Sequence, residues 1–573
     1  MHTSNRSGVW QVHALDLETG GGRRVTDHPV GLVDGVPTLD GDGILWFQDE
    51  TGAESGRWLV QPFAGGESEP FLPGVPLGWS MGLAQAPGIV AAGLATEDGF
   101  SVYVSLGGAA ATELLRSRES IVLGSAYREG FLLGGLSADG SLLCLEHSEH
   151  GDLIHPALRV VDPRTGETVG ELEDPGMSLS ARCWSPLPGD ARLAFSHERE
   201  GDERPGIWHL ATGERENLRL ELDGEVRVDD WWPDASALLL VNRVEGRDRL
   251  LRYDLATGAV IAVATEAGIV MKARVRPDGR VWLLHESARR PRRALDDTGR
   301  ELVSGDGAAV PPARPFDSWH FDNPPGQRVH GFVATPEGRG PFPTMMLVHG
   351  GPTWLDLDRW HPEAQAYVDA GFAVAMVNYR GSLGYGREWR DVLIGNVGGP
   401  ELEDVNAGLE DLVARGIADP TRAVIAGHSW GGYVSLLELG KHPGLWRCGV
   451  AGVPIGDYER AYAESAPLLQ AYDRALLGAE PKDVPELMRD RSPIYFADAV
   501  RAPVLILIGR NDSRCPFGQA MRYVERLEAG GRPHELYVYE TGHASFDADE
   551  RVRQVGTILG FLARHVPGVA APS

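Results

Sequence analysis

Cysteine is scarce. The 573 residues hold four, Cys144, Cys183, Cys448 and Cys515, and none form a C-x-x-C pair. That excludes a zinc ribbon or a dithiol redox motif, and such sparse thiols fit a reducing compartment, the cytoplasm. Long apolar runs are missing too. No stretch of about 18 apolar residues occurs, so no membrane span is expected. The opening "MHTSNRSGVW" has no apolar segment of a secretion signal. Basic residues are outnumbered: 54 Lys and Arg stand against 81 Asp and Glu, a formal charge of −27. Nucleic-acid affinity comes largely from neutralising phosphates with Lys and Arg, so this balance argues against nucleic acid and, equally, against anionic membranes. What remains is a soluble acidic protein kept dispersed by self-repulsion, compatible with a homo-oligomer. The chain is too long for a single core and predicts two to four units, a large β architecture counting as one.

The first half carries a period. Turn-like Gly20, Gly65, Gly108, Gly166, Gly213, Gly258 and Gly299 recur about 41–47 residues apart, with one interval near 58. Short alternating strands such as "VWQVHALDL" and "LLRYDLATG" lead into them, and the period is that of a four-stranded propeller blade. Seven units predict a seven-bladed β-propeller over residues 1–310. The first unit starts where a third strand belongs, so its first two strands are expected to be missing, and propeller closure is in question. The stretch "SARRPRR" (287–293) reads as a solvated turn of the last blade. The acidic "HEREGDERP" (197–205) reads as a solvated loop rather than a site for a peptide amino terminus.

Pro, Gly and Ala crowd into "GDGAAVPPARP" (305–315), a linker. Beyond it, apolar strands alternate with helical stretches: "TMMLVHGG", then 361–370, "FAVAMVNYRG", then 401–415, "RAVIAG", "APVLILIGRND", "HELYVYETGH", and a last helix near 550–565. Fully apolar strands between helices predict a mostly parallel, doubly wound sheet over 311–573, and the motif it carries makes it an α/β-hydrolase domain.

Within it, "GHSWG" (427–431) is a G-x-S-x-G nucleophile elbow, set between a strand pattern and a helix pattern. Small neighbours allow a turn tight enough to hold Ser429 above the sheet edge. A serine needs a base to be a nucleophile. The expected order of serine, acid, histidine points to Asp512 after "PVLILIGRN" and His543 after "HELYVYETG". Rivals fit less well: His534 precedes its strand, His565 lies in the last helix, His428 points away from the turn, and Asp547 follows the histidine. Oxyanion donors are expected at the N–H of Trp430, next after the serine, and in the loop "HGGP" (349–352).

Together "HGGP", "NYRGSLGYGREW" (378–389), "GHSWGGY", "NDSRCP" (511–516) and "TGHASF" (541–546) resemble the prolyl oligopeptidase family of serine peptidases, most closely its acylaminoacyl-peptidase branch. The resemblance is specific over about 320–566. It implies a triad of Ser429, Asp512 and His543, oxyanion N–H groups from Gly351 and Trp430, and an Arg514 that contacts a substrate carbonyl. It further implies short peptides as substrates, no metal or organic cofactor, and a propeller that caps the site. Trp430 stands where tyrosine is common, and Cys515 replaces a valine in "RCP"; neither is expected to touch the triad. An esterase or amidase using the same triad, and a non-catalytic propeller binding module, are the alternative readings.

Overall fold

The computed structural model describes residues 1–17, 19–32, 35–123, 135–303 and 310–570. Part of the 305–315 linker, residues 305–309, and Glu18 of the first turn lie outside them. So does a part of the longest repeat interval, at 124–134.

Among the described residues, seven antiparallel units succeed one another from His2 to Asp296, mostly of four strands; the second and third join edge to edge through Ser55–Trp79 and Gly56–Gly78. Six of the seven glycines sit in the turn between a unit's last two strands; Gly299 turns the chain back onto a single bridge, Leu295–Glu301. All seven have φ between 69° and 104°, a conformation glycine adopts without steric cost. The first unit departs from expectation. His2–Ser4 pairs with Gln11–Leu15, His2 opposite His13, so one of the two strands expected to be missing is present. Three residues are too few for alternation to reveal a strand. A surface cavity separates this first sheet, at His13 and Leu15, from Leu302 and Val303 after the last one.

The second half is one mixed sheet of eight strands: β1 (Asp317–Asp322), β2 (Arg328–Ala334), β3 (Phe342–Val348), β4 (Ala373–Val377), β5 (Ala418–His428), β6 (Cys448–Gly452), β7 (Val504–Gly509) and β8 (His534–Tyr539). They lie in the order β1-β2-β4-β3-β5-β6-β7-β8, antiparallel at β1, β2 and β4 and parallel beyond. The core has two layers because successive side chains point to opposite faces. Val424 and Leu505 pack with Phe561 on one face; Ile425 and Ile506 pack with Leu409 and Leu437 on the other. The covering helices are α1 (Pro362–Asp369), α2 (Pro400–Ala414), α3 (Trp430–Lys441), α4 (Phe517–Ala529) and α5 (Ala548–His565). Among the described residues no helix is long and apolar enough to cross a membrane.

The two halves are joined by charges that local sequence does not reveal. The 197–205 stretch is not a solvated loop: His197, Glu198, Glu203 and Arg204 are buried. Glu198 takes two hydrogen bonds from Arg390, one at 3.0 Å, and the N–H of Arg387 donates to Gly201 O at 2.8 Å. The 287–293 arginines do form an exposed hairpin, paired with Glu266 and Glu286.

His155 is a second tie. Burial opposes its charge, but hydrogen bonds to Asp152 (2.7 Å) and, across the boundary, Asp391 (3.0 Å) outweigh burial and push it up to about 9. A raised folded pKa stabilises fully below the unfolded value of about 6.5 and ceases to stabilise as pH climbs through the folded one. The Tm gap between the parent and His155→Gln is therefore expected to be widest near about pH 6 and to close by about pH 9.5, read by calorimetry. A gap that widens with pH contradicts this linkage.

Candidate active site

β5 leads directly into Ser429, which caps α3 with φ 58° and ψ −121°. A non-glycine residue held there costs of order 1–3 kcal/mol. It is held because Ser429 N–H donates to Gly452 O and Ser429 O accepts from Tyr433 N–H, each at 2.9 Å. The helix start is pressed against β3: a Cβ on Gly431 would stand 2.0 Å from Val348 O, and one on Gly427 2.5 Å from Gly431 C. Glycine at both positions is a demand of contact as well as of turn shape.

Asp512 and His543 follow β7 and β8, so they and Ser429 share the carboxyl edge of the parallel strands, where open α/β sheets meet ligands. His543 Nδ1 lies 2.8 Å from Asp512 Oδ2. Asp512 Oδ1 accepts the N–H groups of Arg514 and Cys515, each at 2.8 Å, and the carboxylate is fully shielded from solvent. A carboxylate on Nδ1 favours the tautomer with the proton there, which leaves Nε2 to accept one. Among the described contacts His543 is bonded to Asp512 and not to Ser429; such catalytic hydrogen bonds commonly tighten only with substrate bound.

The loop after β3 lies over the serine. A Cβ on Gly350 would be 3.3 Å from Ser429 Cβ, and Gly351 has φ 124°. His349 anchors the loop: its ring stacks on Tyr379 at 4.2 Å, its Nε2 meets Ser382 Oγ at 2.9 Å, and its carbonyl accepts from Tyr379 OH at 3.1 Å. Among the described residues, the N–H groups of Gly351 and Trp430 have no protein acceptor.

Residues 359–568 match the sequence profile of the prolyl oligopeptidase family, Peptidase_S9. This segment is a prolyl oligopeptidase family domain. The acylamino-acid-releasing enzyme of Rattus norvegicus is 30% identical over 217 residues, 37% of this chain and 30% of that protein. The dipeptidyl aminopeptidase BIII of Pseudoxanthomonas mexicana is 28% identical over 237 residues, 40% of this chain and 34% of that protein. The chain thus spans about a third of the length of the curated relatives it matches. The crystal structure of puromycin hydrolase superposes with a TM-score of 0.83 at 22% identity, over 100% of this chain and 94% of that one. That likeness is one of fold: a β-propeller followed by an α/β-hydrolase domain.

Against the family pattern, Trp430 and Cys515 both matter. The Trp430 indole donates to Glu401 Oε1 at 3.2 Å and packs on Tyr433 and Tyr458, whose hydroxyl donates to the buried Asp473 at 3.1 Å. An aromatic wall with a carboxyl behind it thus adjoins the elbow, and the sequence reading missed Asp473 and Glu401. Cys515 was expected to leave the triad residues untouched, yet it touches two of them. Its N–H holds Asp512, and its thiol lies beside the Ser429 hydroxyl. Burial pushes that thiol far above its ordinary range, with Asp512 adding to the effect, so it is unreactive.

Arg514, the arginine that the resemblance singles out, is engaged by the propeller. It makes a two-pronged ion pair with Glu54, at 2.6 and 2.8 Å, from a hairpin turn in which Glu54 has φ 61°. The same turn reaches both loops of the site. Asn511 Nδ2 donates to Thr51 O at 3.0 Å, and a Cβ on Gly542 would stand 1.8 Å from Gly52 O. On the other flank of the His543 loop, Trp10 N–H donates to Phe546 O (3.0 Å) and Ala548 N–H to Gly8 O (2.8 Å).

The rivals are occupied elsewhere. Asp547 caps α5 by accepting from Asp549 N–H and Glu550 N–H, His534 begins β8, and His565 ends α5. Among the described residues one group has metal-ligating geometry, Glu245, His320 and His330. It lies at the β1–β2 edge, opposite to His543 in the sheet order.

Proposed function

We propose that the chain is a serine peptidase acting on short peptides, as an oligopeptidase or exopeptidase of the acylaminoacyl-peptidase type, in the cytoplasm. Residues 1–310 form the cap and 311–573 the catalytic domain. Ser429 is the nucleophile, His543 the base that takes its proton, and Asp512 the group that orients the imidazole and stabilises its charge. Gly351 and Trp430 donate to the oxyanion, Arg514 binds a substrate carbonyl, and water releases the acyl-enzyme. The observation that carries this reading is the 2.8 Å His543–Asp512 pair on the sheet edge that also bears the Ser429 elbow. The four free thiols, three of them buried, support a reducing compartment.

The experiment pairs labelling by a fluorophosphonate with a peptide library read by mass spectrometry and a panel of short acyl esters. Labelling at Ser429 with cleavage of short peptides is expected. Ester turnover with all peptides intact would make the protein an esterase, and no labelling would make it a binding module.

Arg514→Ala is expected to lower kcat/KM on peptides about 10–100-fold, mainly through KM, the scale of one lost charge-assisted hydrogen bond. An unchanged KM in steady-state kinetics would remove Arg514 from substrate binding. The propeller is expected to act as a size filter, so that a short peptide is cleaved while the same segment, shown in a loop of a folded protein, is not. Equal rates for the two substrates would rule the filter out.

A further inference from the structure

The propeller and the hydrolase domain bring three metal-ligating side chains together where they meet. His320 on β1 and His330 on β2 are direct cross-strand partners, so both project from one face of that hairpin, with ring centroids 5.0 Å apart. Glu245 comes from the propeller, at the tip of the hairpin joining Ala237–Val244 to Arg247–Asp254. Its Oε1 reaches His320 Nε2 at 2.7 Å, and one ligand atom from each residue lies within 4.8 Å of the other two.

Three details distinguish this from a lone ion pair. First, Glu245 has φ 47° and is followed by Gly246 at φ 70°; two-residue turns of this shape favour Asn, Asp or Gly at the first position, and Glu here puts its longer side chain within reach of His320. Second, His330 is buried, and its Nδ1 is held by Tyr385 OH at 2.5 Å, which in turn accepts from Asn378 Nδ2 at 2.7 Å. An imidazole fixed through one nitrogen by an outer partner is the usual arrangement of a metal-binding histidine. Among the described residues, His330 Nε2 has only a long 3.4 Å contact, with Ser318 Oγ. Third, the Glu245 and His320 side chains are 43% and 23% exposed, which gives an ion a path from solvent. The neighbouring cation, Arg247, is committed to Asp358, Phe316 O and Ser318.

We infer that Glu245, His320 and His330 form a divalent transition-metal site that bridges the two domains. Two imidazoles and one carboxylate suit Zn²⁺, with water completing a tetrahedron, and Co²⁺ as its spectroscopic substitute. Mg²⁺ and Ca²⁺ prefer oxygen donors and fit poorly. Donors around such an ion stand about 3.4 Å apart, so binding needs the Glu245–His320 pair to open and His330 to draw in, each by less than about 1.5 Å. The ion would tie the propeller hairpin to the first hairpin of the sheet, far along the strand order from Ser429 and His543.

The test uses the full chain, stripped with a chelator and titrated with Zn²⁺ by calorimetry and with Co²⁺ by visible absorption. One Zn²⁺ per chain is expected, with Co²⁺ bands of four- or five-fold coordination and a Tm raised by Zn²⁺. Glu245→Gln and His320→Gln should abolish the bands. Tyr385→Phe, which removes only the outer partner, should weaken Zn²⁺ binding about 10–100-fold. His320→Gln changes a partly exposed side chain, so folding, followed by circular dichroism, is expected to persist. Failure of the folded parent to bind Zn²⁺, or unchanged Zn²⁺ affinity in Glu245→Gln and His320→Gln, would overturn the inference.

Discussion

Ser429→Ala is expected to lower peptide turnover by about 10⁶-fold while leaving the unfolding midpoint in urea nearly unchanged. The two effects separate because alanine keeps the Cβ and loses only the hydroxyl. The backbone bonds that hold the turn, from Ser429 N–H to Gly452 O and from Tyr433 N–H to Ser429 O, do not involve the side chain. The buried Cys515 beside it is no substitute nucleophile, because its thiol is kept protonated by burial. Turnover within about tenfold of the parent would remove Ser429 from the chemistry.

Asp512→Asn is expected to cost about 10⁴-fold in kcat with the fold intact, the size of effect known for the corresponding change in a serine protease. The geometry gives the reason. Oδ1 of Asp512 already accepts two backbone N–H groups, from Arg514 and Cys515. An asparagine must keep its oxygen there, which turns its NH₂ toward His543 Nδ1. A donor at that place makes Nδ1 the acceptor and moves the ring proton to Nε2, where it blocks uptake of the serine proton. Kinetics with a short peptide, alongside circular dichroism, checks this. Full activity would assign the acid elsewhere, although the nearest rival, Asp547, is already occupied as the cap of α5.

The parts legible from sequence are those whose causes are local. Each of the seven glycines marks a turn that needs positive φ, and the apolar runs at 345–348, 423–426 and 504–508 are strands covered on both faces. Strand β6, "CGVAG", went unread because its small residues carry no β-branched signal beyond one valine. The β1–β2 hairpin went unread too, since β2, "RVHGFVA", has no clean alternation: Val329 to Phe332 are all buried. The helices Tyr458–Glu464 and Pro467–Leu477, which bring Asp473 to the aromatic wall, went unread although Pro467–Leu477 has an apolar face that buries Ala471, Ala475 and Leu476. Glu54, Glu198 and Asp391 owe their roles to partners 192–460 residues away in sequence. No local pattern can announce a contact of that range.

The proposed base sits on a loop stitched at one end to Gly8 and Trp10 and backed at the other by Gly52. The Ser429 elbow is seated by its own domain; the Asp512 loop takes its seat partly from the second blade, and the His543 loop from the first two. A hydrolase half cut loose, or recombined with a foreign cap, would keep the Ser429 turn but lose outside support for the Asp512 and His543 loops. The two halves of this chain are therefore not interchangeable parts. Drift in the opening residues of the propeller is constrained by contacts made more than 400 residues later in the same chain.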